Sequence, residues 1–410
     1  MQELYFLKVK PLWNQFWKEG FSFWMICGYL FFEYVRPQSI VPSINFLPWT
    51  SILILLSALG LLFDSNRKWV SDRLNKWIIA FYLVILVSTY TGYNTAISRH
   101  YLEFFYTWLI IYFLIINTVT TKERFYIFLL IFLLASFKLS SHGAQVWVSR
   151  GFGFTKWGIT GPRGFFGNSG ELSIQMLVFF PVAYYLFIAL KDYVKPWEKF
   201  ILLLFIITPV MTILGASSRG AQLALSIQCI VMFYKQIFRV KVLLGISISV
   251  LVVMSLLPEE QKERFRTMGD DKTSEQRILY WTNGIEMIKD HPFFGVGFFN
   301  FVPYYERYYY GDMLYPEAEL PHNIFIQVGT DTGLVGLFIY IVMLSRFLLK
   351  KKATGNSKDD IFFLNIQKGI SIGILGFVVA GQFVSVVYYP FMWIGLALYV
   401  SLQNCFRKEI

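Results

Sequence analysis

Apolar runs long enough to cross a bilayer recur from Phe21 to Phe406. A helix needs about 20 consecutive apolar residues to span the hydrocarbon core, and in lipid only helices and closed barrels satisfy every backbone group. Read this way, the runs fall at 21–35, 48–63, 74–91, 101–119, 124–140, 171–190, 198–215, 219–234, 240–257, 323–349, 369–387 and 389–405. The expected fold is therefore an all-α polytopic membrane protein with about 12 transmembrane helices. Composition agrees. The chain is 56% hydrophobic and only 15% charged, whereas soluble domains carry about 25% charged residues. An ordinary soluble enzyme, a disordered chain and a disulfide scaffold are all excluded. Cys27, Cys229 and Cys405 lie in or beside apolar runs without metal-type spacing, and the 4 histidines are far apart.

Lys and Arg placement sets the sidedness. With the N-terminus inside, the inner segments hold Lys8, Lys10 and Lys18, then Arg67, Lys68, Arg73 and Lys76, then Lys191, Lys195 and Lys199, then Lys350, Lys351 and Lys352, and finally Arg407 and Lys408. Both termini are expected to be cytoplasmic. The first run follows three lysines like a signal sequence, but it contains Glu33 and no small-residue cleavage site follows, so it reads as a retained span. The net charge of +11 belongs to this inner face and to anionic inner-leaflet lipid, and is poor evidence for nucleic-acid binding.

Three regions follow: residues 1–257, with nine spans and a Gly-rich outer segment at 141–170; a large outer loop at 258–321; and residues 322–410, with three spans and a cytoplasmic end. Within the loop, 274–289 reads as an amphipathic helix whose apolar stripe is Ile278, Trp281, Ile285 and Ile288. Ser274 is its candidate cap and His291-Pro292 its end. An aromatic segment follows, from Phe298 to Tyr310.

Polar groups inside spans are costly, about 3 kcal/mol each for a charge on insertion scales, so each needs an explanation. Arg219 opens the eighth span near the outer interface; an Arg that only snorkels to headgroups is the bland explanation. Asn323, Gln327, Thr330 and Asp331 form a stripe down one face of the tenth span, just after Pro321-His322. Such a stripe is expected to face a watered cavity within the protein. Gly329, Gly333 and Gly336 would admit a close neighbour there. Arg277 heads the loop helix and would otherwise be a solvated surface residue. Arg36, Arg99 and Arg163 are further outer cations near span ends. Arg99 and Arg163 join Asn323 and Gln327 as candidate substrate contacts.

Four stretches resemble the O-antigen ligase and O-antigen polymerase superfamily of bacterial membrane glycosyltransferases. Pro321-His322-Asn323-Ile324-Phe325-Ile326-Gln327 with Asp331-Thr332-Gly333-Leu334-Val335-Gly336 is similar to its His-Asn signature. Arg277-Ile278-Leu279-Tyr280-Trp281 running into His291-Pro292-Phe293-Phe294-Gly295 is similar to the loop before it. Ser218-Arg219-Gly220-Ala221 resembles a Ser-Arg-Gly span opening. Gly164-Phe165-Phe166-Gly167-Asn168-Ser169 departs from the pattern, with Ser169-Gly170 where Pro-Asn is usual. The resemblance implies a type-C glycosyltransferase fold with a helical periplasmic loop domain, in the bacterial inner membrane with the active site facing the periplasm. It implies a glycan donor carried on undecaprenyl diphosphate, no nucleotide sugar and no metal. The acceptor is lipid A–core in the ligase branch, another lipid-linked repeat in the polymerase branch, and protein in related members.

Residue chemistry points the same way. Arginine pairs with phosphate oxygens in bidentate fashion and stays charged, so Arg219 and Arg277 are the candidate diphosphate ligands. His322 is the candidate general base for the acceptor hydroxyl, since an ordinary imidazole titrates near a pKa of about 6.5. Attack opposite the leaving group implies inversion. Asn323 is expected to orient His322. A transporter of a lipid-linked anion is the rival from another class, though no two-half symmetry is visible. A structural scaffold is the third reading, and it predicts that His322→Ala is silent.

Overall fold

The computed structural model describes residues 7–64, 67, 69–153, 158–237, 272–348 and 357–406. The elements in order are α1 (Val9–Lys18), α2 (Phe21–Tyr34), α3 (Pro37–Ile40), α4 (Trp49–Phe63), α5 (Arg73–Thr91), α6 (Thr95–Thr118), α7 (Lys122–Ser149), α8 (Ser169–Leu190), α9 (Pro196–Gly215), α10 (Arg219–Ile237), α11 (Lys272–Asp290), α12 (Phe301–Tyr308), α13 (Ile324–Ser345), α14 (Lys358–Ala380) and α15 (Pro390–Cys405). No strand occurs among the described residues. Among the described residues, seven helices are long and apolar enough to cross a membrane: α5, α6, α7, α8, α9, α13 and α14. The chain has the make-up of a polytopic membrane protein.

Helix starts are set by side chains that satisfy the free N–H groups of the first turn. Asp72 accepts from the Leu74 N–H, Asn94 from those of Ala96 and Ile97, and Thr121 from that of Arg124. Asn168 and Glu171 cap α8 reciprocally, as Ser357 and Asp360 cap α14. At the centre, α8 and α14 pack backbone to backbone. A methyl group at Gly369 would lie 2.8 Å from the Val182 Cα, and one at Gly373 2.8 Å from the Val178 carbonyl. Small residues at such a crossing let two membrane helices gain dispersion contacts that lipid cannot offer.

Several span limits differ from the sequence reading. The span expected at 240–257 lies outside the described residues. α2 and α4 have 14 and 15 residues, shorter than an ideal crossing. α7 continues to Ser149, absorbing the start of the expected Gly-rich outer segment; Gly143 there lies tight against Thr212 of α9. The largest difference is at α14. It starts at Lys358 rather than 369, because Phe362, Phe363 and Ile366 are buried, and Lys368 points outward. It stops at Ala380, and residues 381–389 form a non-helical leg before α15.

The loop helix α11 also differs in the face it buries. Ile278 and Ile285 are 56% and 45% exposed, while Tyr280, Asn283 and Met287 face inward. The helix is packed on two sides, so one apolar stripe does not describe it. One side joins a small separate core with Val296, Phe301, Tyr305 and Ala318. Inside that core Asn283 donates to the Tyr305 hydroxyl and to the Asp312 carboxylate. The other side lies on α13, where Ile288 fills the space over Gly329. Ser274 sits inside the helix rather than ahead of it, and the helix ends at Asp290, before His291-Pro292.

α13 is broken at Gly333, whose φ is +67°. That left-handed geometry suits glycine, and contact demands it too: a Cβ there would lie 2.4 Å from the Phe293 backbone. The 291–297 turn enters the break. The Leu334 N–H donates to the Pro292 carbonyl at 2.7 Å, and the Val296 N–H to the Thr330 carbonyl at 2.8 Å. The Tyr93 N–H in turn donates to the Val296 carbonyl. The 291–297 turn is thus fastened to α13 and to the α5–α6 turn by backbone hydrogen bonds.

Candidate functional site

The N-terminal end of α13 is built by the Pro321-His322-Asn323 turn. Asn323 is extended and caps the helix: its Oδ1 accepts from the Phe325 and Ile326 N–H groups at 2.9 and 3.3 Å. Its Nδ2 donates to Gln382 Oε1 at 3.1 Å. Asn323 therefore shapes the turn that carries His322, and no hydrogen bond between the two side chains is seen. His322 itself has φ +51°, a conformation that β-carbon sterics disfavour. Two contacts hold it there. Its N–H donates to Ser385 Oγ at 2.8 Å, and the preceding Pro321 carbonyl accepts from Trp281 Nε1 at 2.9 Å.

The His322 ring is half-buried, with Nε2 2.8 Å from Glu319 Oε2. Glu319 is exposed and its own N–H donates to the Tyr280 hydroxyl at 2.9 Å. Its carboxyl is held below the usual carboxylate range. The hydrogen bond to His322 is the main cause, the charges of His322 and Arg277 add to it, and partial burial works against it. Arg277 stands one turn ahead of Trp281 on α11, half-buried. Arg277 and His322 thus share one neighbourhood around Glu319.

Arg219 lies on a separate helix, α10. It is half-buried in the first turn of α10. A Cβ on the adjacent Gly220 would lie 2.6 Å from the Phe383 ring, and that ring is 6.5 Å from the ring of Trp281. Phe383 therefore sits between the start of α10 and the Arg277 end of α11. The 381–389 leg joins all these parts. The Gly381 carbonyl accepts from the Ile324 N–H, Gln382 binds Asn323, Val384 packs on Gly170 at the start of α8, and Ser385 holds His322.

The rest of the polar stripe has a different fate. Asp331 is fully buried, but its oxygens accept from the Phe299 N–H at 3.1 Å and the Tyr388 hydroxyl at 2.9 Å. Ser88 donates to the Asp331 carbonyl. Thr330 bonds back to the Ile326 and Gln327 carbonyls. These residues are packed into protein, contrary to the expectation of a watered face, because the 381–389 leg and the 291–300 turn cover them. Gln327 is packed in as well, but its hydrogen bonding is incomplete. It is 1% exposed, and its Oε1 has no hydrogen-bond partner among the described residues.

Arg99 and Arg163 lie on other segments, and Phe165, two residues from Arg163, packs on Tyr389 of the leg. Both arginines are exposed; the Arg99 Nε donates to the Thr95 carbonyl of its own helix, and Arg163 offers its carbonyl to Arg36. Glu319, Gln382, Phe383 and Ser385 were not legible as site residues. The signal for the leg was present: Tyr389-Pro390 disfavours helix at the residue before proline.

Residues 201–341 match the family model described as O-antigen ligase. The match supports the O-antigen ligase and polymerase superfamily. It spans Arg219, Arg277, His322, Asn323, Gln327 and Asp331, whereas Arg99, Arg163 and the 381–389 leg lie outside it. No curated protein matches the chain significantly. Members of this superfamily are glycosyltransferase-like ligases and polymerases, which argues for a transferase acting on lipid-linked glycan at the membrane.

Proposed function

We propose that the protein is an O-antigen ligase-type glycosyltransferase. It moves a glycan from undecaprenyl diphosphate to a lipid A–core acceptor at the periplasmic face of the bacterial inner membrane. The domain scheme is a membrane body (1–257 and 322–410, both termini cytoplasmic) carrying a periplasmic loop (258–321). The observation that carries this reading is the shared neighbourhood of Arg277 and His322 around Glu319, with the start of α10 brought in through Phe383.

Arg219 and Arg277 hold the diphosphate. Charge grows on its oxygens as the sugar–oxygen bond breaks, and cations fixed beforehand stabilise that charge most. His322 takes the proton of the acceptor hydroxyl, whose oxygen attacks the anomeric carbon opposite the leaving group, with inversion. Asn323 keeps the His322 turn in shape, and Gln327, one turn below, is the contact for a substrate hydroxyl, its buried Oε1 lacking a partner among the described residues. Arg99 and Arg163 act further out, as exposed cations that draw in an anionic lipid.

The test is transfer in proteoliposomes holding lipid-diphosphate-linked glycan and lipid A–core, without any gradient. Glycosidic bond formation that is lost in His322→Asn supports the reading. Substrate movement without bond formation would sink it in favour of a carrier. In a deletion strain, long chains left on the carrier mark a ligase, while single repeats on finished core mark a polymerase.

A further inference from the structure

We propose that Glu319 and His322 work as a dyad: the carboxylate holds the hydrogen on Nε2, so that Nδ1 is the atom that takes the acceptor proton. This rests on His322 being the general base. The geometry is specific. Glu319 Oε2 and His322 Nε2 are 2.8 Å apart, and the backbone on either side is pinned: the Glu319 N–H to Tyr280, the Pro321 carbonyl to Trp281, and the His322 N–H to Ser385. Two of the three anchors are on α11, the helix that also carries Arg277. The pair is therefore placed by the loop helix and by the 381–389 leg together.

The tautomer follows from donor and acceptor logic. An ionised carboxylate only accepts hydrogen bonds. Glu319 is kept ionised by its neighbours, so Nε2 must be the donor. In the neutral ring the lone pair then lies on Nδ1. During transfer the acceptor O–H proton moves to Nδ1 and the new oxygen–carbon bond forms. The bond from the anomeric carbon to the diphosphate breaks, and its electron pair leaves with the diphosphate. The imidazolium formed is opposed by the Glu319 charge, as a carboxylate stabilises a catalytic imidazolium elsewhere, and it resets by giving its proton to solvent. Among the described residues, the charged groups that the contacts place near His322 are Glu319 and Arg277, with Arg219 at the start of α10 behind Phe383; Ser385 and Gln382 on the leg do not titrate. Glu319 is thus a positioning residue acting through His322.

The first test does not need turnover. Full-length protein with ¹⁵N-labelled histidine is placed in nanodiscs, and the His322 signal is assigned by its loss in His322→Asn. At about pH 8, above the ordinary imidazole range, the ring is expected to show a protonated Nε2 and a bare Nδ1. Glu319→Gln is expected to give mixed tautomers. A wild-type ring protonated at Nδ1, or one unchanged by Glu319→Gln, overturns the proposal. The second test is kinetic, with lipid-diphosphate-linked oligosaccharide as donor. Glu319→Gln is expected to lower kcat by about 10- to 100-fold with KM nearly unchanged, and to move the acidic limb of the pH profile to lower pH. Glu319→Asp is expected to recover part of the rate, and Glu319→Gln to add nothing in the His322→Asn background. An inactive His322→Asn beside a Glu319→Gln of wild-type rate and profile sinks the dyad alone. A fully active His322→Asn sinks the parent reading, while the spectrum still decides how the ring is held.

Discussion

The two ends of the polar stripe on α13 are made of similar residues and are treated in opposite ways. At Asp331 the polar contacts are made within the protein: Tyr388 and the Phe299 amide bond its carboxylate, Ser88 bonds its backbone carbonyl, and the residue is fully buried. At His322, on the preceding turns, the ring is half-open, the backbone is left-handed, and the partner Glu319 is exposed. A closed knot stabilises, because an unpaired buried polar group is expensive. A half-open, strained group stabilises little and is kept in place by its surroundings. The contrast separates polar residues that hold the fold from those that can do chemistry.

The largest expected effect tests the open end. His322→Asn, chosen because asparagine tolerates left-handed geometry, should lower transfer about 10³-fold while the melting temperature stays near that of the wild type. A matching fall in stability would break the contrast. At the closed end the signs reverse. Asp331→Leu leaves the Tyr388 hydroxyl and the Phe299 amide without their acceptor, at about 1–3 kcal/mol for each. A clear drop in thermal stability is expected, with near-normal turnover per folded molecule.

Gly333→Ala sharpens the boundary between the two ends. It combines left-handed strain of about 1–2 kcal/mol with a collision against the Phe293 backbone. Faster amide exchange in 291–300 should report that the loop has loosened from α13. Asn323→Ala removes the helix cap and should cost about 1 kcal/mol, read in the melting temperature, with a smaller loss of rate through the displaced His322 turn. Smallest of all, Arg99→Ala and Arg163→Ala should leave stability within about 0.5 kcal/mol, and a change in KM that fades as salt screens the charges.

The sequence made part of this visible. His322, Arg277 and Arg219 stand out because charged or titratable groups near a bilayer interface demand a reason. The partners of His322 were hidden for different reasons. Glu319 looks like any loop carboxylate until the turn brings it three residues back onto the imidazole. Ser385 and Gln382 sit in a run whose hydropathy reads as the end of a span, and hydropathy does not distinguish a helix from a leg of turns packed against protein. The face of α11 was misread because a helix packed on two sides has no single stripe; Tyr280 and Asn283 are buried by a small core that forms only when 301–318 folds over them.

By itself the sequence determined the solvent in which this chain folds, the helical class and the general positions of most spans, because backbone satisfaction in lipid and charge asymmetry act on local composition. Only the tertiary structure decided which polar groups share a neighbourhood. That depends on a helix break at Gly333, a non-helical leg at 381–389 and a loop helix fastened between them. These are long-range contacts among residues tens to hundreds of positions apart, and no local pattern encodes them.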